Sequence, residues 1–230
     1  MIFDTLFFDL DDTIYPSTSG LWFAIRNRMN EYMERMGLPK EEIPRLRQSY
    51  LERFGTTLRG LQQDYQIDVT EYLNFVHDLP LKDYLDADPV LRTILGSLPQ
   101  SRWIFTNSDK SHAQRVLNVL QIEDCFDGII DIRALDFVCK PDPEAYRRAA
   151  AIAGVTSIEG CMLFDDAPRN LAPAKRLGFT TVLVADKASP NSADFTISSL
   201  HQLRQSLPQL WRTADQPVSV TMSKKVTDER

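Results

Sequence analysis

Short runs of apolar and β-branched residues recur along the chain, and each run ends in polar residues. Five runs have the length and composition of buried strands: 6–10, 103–106, 128–132, 161–164 and 180–184. Between the later runs, apolar residues follow the three- and four-residue spacing of helices, in segments 110–120, 143–153 and 168–177. Strands that alternate with helices predict an α/β fold with a parallel sheet and helices on both of its faces.

The stretch between the first two predicted strands contains no convincing strand. Its apolar residues follow helical spacing in four segments, 22–36, 40–54, 56–65 and 69–77. A connection of about seventy residues within a compact domain needs structure of its own. We therefore expect a core formed by residues 1–15 and 89–211, and a helical unit formed by residues 16–88. Residues 212–230 are polar and aperiodic, which predicts a disordered tail.

The charge balance narrows the range of partners. The chain has 26 Lys and Arg residues against 32 Asp and Glu residues, and the formal net charge is −6. No broad basic surface is therefore expected, which argues against polymeric nucleic acid as a partner. No run approaches the roughly eighteen uncharged apolar residues of a membrane span, and the N-terminus has acids where a signal peptide has Lys or Arg. We expect a cytoplasmic protein without a membrane partner.

The cysteines and histidines restrict the kind of metal site. Three cysteines without a CxxC pair favour free thiols in the core over a disulfide framework. The three histidines show no zinc-binding spacing. Any metal must therefore be held by carboxylates, which favours a hard cation such as Mg²⁺.

Acidic residues cluster directly after the first predicted strand, in the sequence Asp9-Leu-Asp11-Asp12-Thr13. Crowded carboxylates resist ionising together, and a bound cation removes that cost. A helix N-cap at Asp12 or Thr13 would explain one or two of these residues but not the set. A second acidic pair, Asp165-Asp166, follows the strand predicted at 161–164.

Two further motifs stand where predicted strands lead into helices. Thr106-Asn107-Ser108 follows the strand at 103–106, and Lys140 precedes Pro141 and a predicted helix. Alone, the first is also an ordinary helix cap and the second an ordinary surface lysine. Ligand sites in open α/β sheets lie at the carboxyl ends of the strands, so the joint occurrence of acids, a hydroxyl and a lysine there favours a site for metal and phosphate.

The order Asp9-x-Asp11-x-Thr13, Thr106, Lys140 and Asp165-Asp166 resembles the four motifs of the haloacid dehalogenase superfamily. The resemblance implies a Rossmann-like core and identifies the helical unit at 16–88 as a C1 cap. Further segments resemble the pyrimidine 5′-nucleotidase family within that superfamily; these are residues 9–16, 57–61, 76–77, 106–113, 122–128 and 139–141.

By this resemblance, Asp9 would be the nucleophile that forms an aspartyl-phosphate, and Asp11 the general acid and base. Lys140 and Thr106 would be catalytic residues that stabilise charge on the transferring phosphoryl group. The phosphate-binding set implied is Asp9, Thr106, Asn107 and Lys140. An acid two positions after the nucleophile favours phosphate over haloacid substrates.

The resemblance also implies a Mg²⁺ cofactor and a small phosphorylated substrate. The ion would be held by Asp9, the backbone carbonyl of Asp11, and Asp166, with Asp165 as a direct or water-mediated ligand. UMP and CMP are the first substrate candidates, and other nucleotides, pyridoxal phosphate or a sugar phosphate remain open.

Substrate selectivity is expected to come from the helical unit. Thr57, Arg59 and His77 are the candidates to hydrogen-bond a base or sugar. Three aromatic residues could stack on a pyrimidine ring, although helical spacing favours core positions for them: Tyr15, Trp22 and Phe23. Two alternatives from other classes are a phosphoacceptor signalling module, which is about half this length and lacks such an insert, and a non-catalytic binding module.

Overall fold

The computed structural model describes residues 3–187 and 192–211, and the predicted tail at 212–230 lies outside them. Six parallel strands form one sheet in the order β3-β2-β1-β4-β5-β6. The strands are β1 Thr5–Phe8, β2 Ser101–Phe105, β3 Gly128–Ile130, β4 Cys161–Asp165, β5 Thr180–Val184 and β6 Phe195–Ile197. This arrangement confirms the predicted α/β fold with a parallel sheet.

Helices cover both faces of the sheet. Five of these helices follow residue 88 in the chain: α5 Pro89–Gly96, which precedes β2, and then α6 Lys110–Leu120, α7 Pro143–Ile152, α8 Pro168–Leu177 and α9 Leu203–Ser206. The four helices α1–α4 precede them and are described below. Side chains of β1 alternate between two apolar clusters: Phe8 packs with residues of α5, α6 and α9, and Phe7 packs with residues of α7 and α8. This alternation is the pattern of a strand buried on both faces.

The chain between β1 and β2 folds into four helices, α1 Leu21–Arg35, α2 Ile43–Phe54, α3 Thr57–Asp64 and α4 Val69–His77. They share an apolar cluster that includes Tyr32, Met33, Tyr50, Leu61 and Tyr72. The helical spacing in this region is confirmed, and α1–α4 are called the helical insert below. The division of the chain at residues 16 and 88 into core and cap domains stays a prediction.

The structure differs from the sequence prediction at the ends of β1 and β3, which both stop two residues early, and at three short elements. β1 ends at Phe8, two residues earlier than predicted, and the chain turns through Asp12, whose φ is 60°. Leu10 is fully buried but lies outside the strand, so its apolar character reports burial rather than extended backbone. Sequence patterns did not predict α5, β6 or α9, which are short elements of eight, three and four residues.

The three cysteines are free and buried, as predicted. Among the helices of the described residues, none combines the length and apolar character that a membrane span requires.

Candidate active site

Asp9 follows β1 at the carboxyl edge of the sheet, where its backbone N–H donates to the carbonyl of Phe164 in the neighbouring strand. Its carboxylate accepts a hydrogen bond from the Lys140 ammonium group at 2.7 Å, and Thr13 Oγ1 lies 3.5 Å from its other oxygen. Asp9 is only 8% exposed. The central position of β1 in the sheet thus places this carboxylate among the ends of the neighbouring strands.

Lys140 is fully buried and connects two carboxylates. Its Nζ donates to Asp9 and to Asp165, each at 2.7 Å. Burial acts to lower the pKa of Lys140, but Asp165 and Asp9 together raise it above its ordinary value, so the side chain stays an ammonium ion. Asn107 fixes the backbone of Lys140 by accepting from its N–H and donating to its carbonyl, both at 2.9 Å.

Asp9, Asp165 and Asp166 form a carboxylate cluster whose oxygen atoms lie within 4.8 Å of one another. Within the described residues, Lys140 is the one cation paired with this cluster, through Asp9 and Asp165. Three potential negative charges therefore face one positive charge. Burial, reinforced by Asp165, raises the pKa of Asp166 to about 7. Burial also raises the pKa of Asp9, and the neighbouring acids add to this effect while Lys140 opposes it. Excess negative charge on hard oxygen donors fits a divalent cation such as Mg²⁺.

The oxygen atoms of Asp165 are more fully occupied than those of Asp166. One oxygen of Asp165 accepts from the backbone N–H of Ala167 and from Asn170, and the other accepts from Lys140 and Asn170. These bonds hold the Asp165 carboxylate in the position where it accepts from Lys140. Asp166, which lines the adjacent cavity, has the less occupied carboxylate.

Asp11 is held by three side chains rather than by the carboxylate cluster. Tyr15 Oη and His112 Nε2 contact one oxygen at 2.6 and 3.0 Å, and Ser108 Oγ donates to the other at 2.7 Å. Burial acts to raise the pKa of Asp11, but His112, Ser108 and Tyr15 together hold it well below its ordinary value. Asp11 is therefore an ionised carboxylate, and His112 Nε2 carries the proton of their hydrogen bond.

Thr106 lies directly after β2 and is 1% exposed. Its Oγ1 accepts from the backbone N–H of Ser108 at 3.0 Å, so the hydroxyl hydrogen remains free to point elsewhere. Thr106 and Asn107 line the same cavity as Asp9 and Asp166. The structure thus brings together the four motifs that the sequence placed at strand ends.

A cavity of about 370 Å³ opens beside this cluster, between the strand ends and the helical insert. The insert contributes Thr57 and His77 from the predicted substrate-binding set, and also Arg26, Arg47 and Tyr72. Tyr72 Oη and Arg47 Nε are buried and have no hydrogen-bond partner within the described residues. Unpaired buried donors in a cavity wall suit a ligand that supplies acceptors.

The insert approaches the Lys140 loop at Gly55, which ends α2 with a φ of +84°. A Cβ atom at this position would lie 2.8 Å from the Lys140 carbonyl oxygen. Both the backbone conformation and the close approach therefore require glycine.

The remaining candidate substrate contacts lie in different surroundings. Arg59 is half-buried but does not line the cavity. Tyr15 is buried in the core and donates to Asp11, which removes it as a stacking platform. Phe23 is 66% exposed and is absent from the cavity wall, whereas Trp22 lines the cavity.

Sequence reasoning missed several residues of this site. Ser108 and His112 lie within the segment 106–113 quoted for the family resemblance, and their four-residue spacing at the start of α6 was an available signal. Asn170, Arg47 and Tyr72 carry no signal of this kind, because an asparagine, an arginine or a tyrosine on a helix is ordinary without knowledge of its neighbours.

Comparisons with known proteins agree with the fold and the motif order. Residues 3–178 match the haloacid dehalogenase-like hydrolases, and the chain belongs to this family. It is 33% identical over 192 residues to Phosphate metabolism protein 8 of Saccharomyces cerevisiae. The matched region is 77% of this chain and 60% of the yeast protein. It is 28% identical over 191 residues to the glyceraldehyde 3-phosphate phosphatase of Pyrococcus abyssi. That match covers 77% of this chain and 79% of the phosphatase.

Among solved structures, a HAD phosphatase from Thermococcus onnurineus has a similar fold. The TM-score is 0.60 at 21% sequence identity, over 88% of this chain and 96% of the other. This likeness supports the fold.

Proposed function

We propose that the protein is a Mg²⁺-dependent phosphate monoester hydrolase that works through an aspartyl-phosphate on Asp9. The observation that carries the proposal is the buried Lys140 ammonium group, which joins Asp9 to Asp165 beside Asp166. A nucleophilic carboxylate, a fixed cation and a carboxylate cluster suited to a metal ion are the groups that phosphoryl transfer requires. The family match and the phosphatase among its relatives support the same reaction class.

In the first step, an oxygen of Asp9 attacks phosphorus and the ester P–O bond breaks. The departing alcohol oxygen takes a proton from Asp11. Because Asp11 is ionised in the free protein, it first takes up this proton from solvent when the negative charge of the substrate enters the site. In the second step, water attacks the phosphorus of the aspartyl-phosphate and gives a proton to Asp11. Phosphate leaves and the Asp9 carboxylate is restored. Thr106 and Lys140 stabilise the charge on the phosphoryl oxygens.

Asp9 and Asp166, with the backbone carbonyl of Asp11, are the proposed Mg²⁺ ligands, and Asp165 acts as an outer partner. When bound, Mg²⁺ offsets the repulsion between the Asp9 carboxylate and a phosphate dianion. The assignment of Asp165 to the outer position rests on the four hydrogen bonds its oxygens already accept.

For the leaving group, we propose a pyrimidine nucleoside such as that of UMP or CMP. The sequence resemblance supports this choice, and so do the unpartnered donors Arg47 Nε and Tyr72 Oη, because pyrimidine rings present carbonyl oxygens as acceptors. The same proposal includes the cytoplasm as its location, since three buried free cysteines suit a reducing compartment.

A second candidate is a phosphate monoester that carries another anionic group. Arg26 and Arg47 both line the cavity, and neither forms an ion pair with a carboxylate in the part of the chain the structure describes. Burial lowers the pKa of Arg47, and the neighbouring Arg26 lowers it further, which indicates that the two guanidinium groups repel each other. An anionic group on the substrate would relieve that repulsion.

One panel of substrates tests both the reaction and the leaving group. Released phosphate is measured with Mg²⁺ and with EDTA for UMP, CMP, purine nucleotides, pyridoxal phosphate, a sugar phosphate and 3-phosphoglycerate. We expect Mg²⁺-dependent turnover, with the pyrimidine nucleotides preferred. A preference for 3-phosphoglycerate would select the second candidate, whereas no turnover of any ester, or full turnover in EDTA, would contradict the proposed reaction.

A further inference from the structure

We propose that His77 and His112 are positioning residues that hold Asp11 in place for proton transfer to the leaving group, and that they connect this acid to the helical insert. The proposal rests on the proposed phosphate monoester hydrolysis. It assigns both histidines to the orientation of Asp11 rather than to contact with the nucleoside.

The hydrogen bond from His112 to Asp11 depends on the orientation of the imidazole ring. His112 is 1% exposed, and its Nε2 lies 3.0 Å from Asp11 Oδ1, the oxygen that also accepts from Tyr15. Its other ring nitrogen, Nδ1, has no hydrogen-bond partner within the described residues. No second hydrogen bond therefore fixes the ring, and its orientation must be fixed by packing.

His77 of the helical insert provides that packing. The two imidazole rings are stacked, with centroids 4.2 Å apart and planes 12° apart. His77 is itself buried, and its Nδ1 lies 3.4 Å from Asp109 Oδ1. The same oxygen of Asp109 accepts from the backbone N–H of His112 at 3.0 Å, so one carboxylate at the start of α6 contacts both histidines.

Arg115 fixes the stack from outside the site. It lies one turn after His112 on α6 and donates to the carbonyl of His77 at 2.8 Å and to that of Leu79 at 2.7 Å. These bonds attach the end of α4 to α6. The position of the insert thus determines whether His77 covers the His112 ring, and through that ring it affects Asp11.

A misplaced Asp11 should harm only those reactions in which the leaving group needs a proton. An alkoxide is a poor leaving group without one, whereas para-nitrophenolate leaves readily as an anion. Benzyl phosphate and para-nitrophenyl phosphate are similar in size and bind without a nucleoside. Their kcat/KM values include steps up to aspartyl-phosphate formation, so their ratio reports on proton donation and not on the later attack of water.

The experiment measures kcat/KM of both esters with Mg²⁺ for wild type, His112→Leu, His112→Gln, His77→Ala and His77→Phe. We expect His112→Leu and His77→Ala to lose about tenfold or more on benzyl phosphate and less than about threefold on para-nitrophenyl phosphate. His112→Gln keeps a donor and His77→Phe keeps a stacked ring, so both should retain most of the benzyl phosphate activity. The double variant His77→Ala/His112→Leu should lose no more than His112→Leu alone.

Arg115→Ala provides a test that does not disturb a buried side chain, because Arg115 is exposed. It should show the same selective loss on benzyl phosphate, by about threefold. The matched control is Arg28→Ala, since Arg28 also donates to a backbone carbonyl of α4, that of Phe75, but from within the insert. It should not change the ratio of the two kcat/KM values.

Equal losses on both esters, a gain on benzyl phosphate, or no selective change in Arg115→Ala would overturn the inference. Wild type that hydrolyses neither ester nor any member of the substrate panel would instead contradict the proposed function. The two failures are therefore distinguishable.

Discussion

The Lys140 ammonium nitrogen lies 2.7 Å from Asp9 Oδ1, although 131 positions separate the two residues in the chain. The contact joins the end of the central strand to the loop that precedes α7, and Lys140 is fully buried there. The ammonium group balances carboxylates that would otherwise repel one another. In the proposed reaction it would also contact the transferring phosphoryl group.

Lys140→Met should remove activity and also destabilise the protein. The change leaves Asp9 and Asp165 buried without their cation, and breaking a buried ion pair from one side costs about 3–5 kcal/mol. Urea unfolding without metal measures the loss, which Mg²⁺ should partly reverse through binding to the carboxylates. Unchanged stability in EDTA would contradict the electrostatic role assigned to Lys140.

Gly55→Ala should be more harmful than Gly37→Ala. Both glycines have positive φ, +84° and +88°, but a Cβ at Gly55 would lie 2.8 Å from the Lys140 carbonyl, whereas a Cβ at Gly37 would meet nothing within 4 Å. Backbone strain of about 1–3 kcal/mol is common to both variants, so the difference between them isolates the contact with the Lys140 loop. We expect lower kcat for Gly55→Ala alone, and equal kcat for the two variants would contradict this role of the contact.

Much of the fold could be predicted because the buried apolar residues recur with the spacing of the helix or strand that contains them. The segments 69–77, 110–120, 168–177 and 180–184 have the predicted bounds in the structure. The prediction was wrong at β1, where buried Leu10 extends the apolar run beyond the last residue of the strand. It also missed α5, although Asp88 caps this helix and Pro89 begins it, and both are signals of a helix start.

The sequence could predict those site residues that directly follow a strand. Asp9, Asp165 and Asp166 meet because their strands are neighbours in a parallel sheet, which the alternation of strands and helices implies. The bond between His112 and Asp11 depends on how α6 is rotated against the sheet, and the Arg47 position depends on how α2 packs. Neither rotation is encoded in a local pattern.

Arg47→Met and Tyr72→Phe should weaken turnover of a pyrimidine nucleotide more than that of para-nitrophenyl phosphate. Each removes a buried donor that the leaving group would satisfy, which is worth about 1–3 kcal/mol per group. The kcat/KM for UMP should fall by about tenfold, with a smaller change for the generic ester. Arg45→Met is the matched control, because Arg45 is exposed on the same helix and does not line the cavity. Equal losses on both esters would contradict a role in leaving-group recognition.

Asp194 lies just before the edge strand β6, and Asp194→Asn should lower the free energy of unfolding by an amount that depends on pH. Asp194 accepts from the N–H and hydroxyl of Thr181 and pairs with Lys175. Burial acts to raise the pKa of Asp194, but Lys175 and Thr181 lower it overall. Its stabilising effect is therefore present above its unfolded pKa of about 3.9 and is lost as the pH falls through the lower folded value.

Urea unfolding at several pH values tests the Asp194 prediction. The difference in unfolding free energy between wild type and Asp194→Asn should be largest near neutral pH and should shrink below about pH 4. A difference that grows as the pH falls would show that the sign of the shift is wrong.

Asp9→Asn shows whether the Asp9 carboxylate attacks phosphorus. The amide keeps the size of the side chain but is a far weaker nucleophile than a carboxylate. Phosphate release from the best ester of the panel is measured with saturating Mg²⁺, and circular dichroism confirms the native fold. We expect kcat to fall by at least about a thousandfold. Natively folded Asp9→Asn with activity within about tenfold of wild type would rule out Asp9 as the nucleophile.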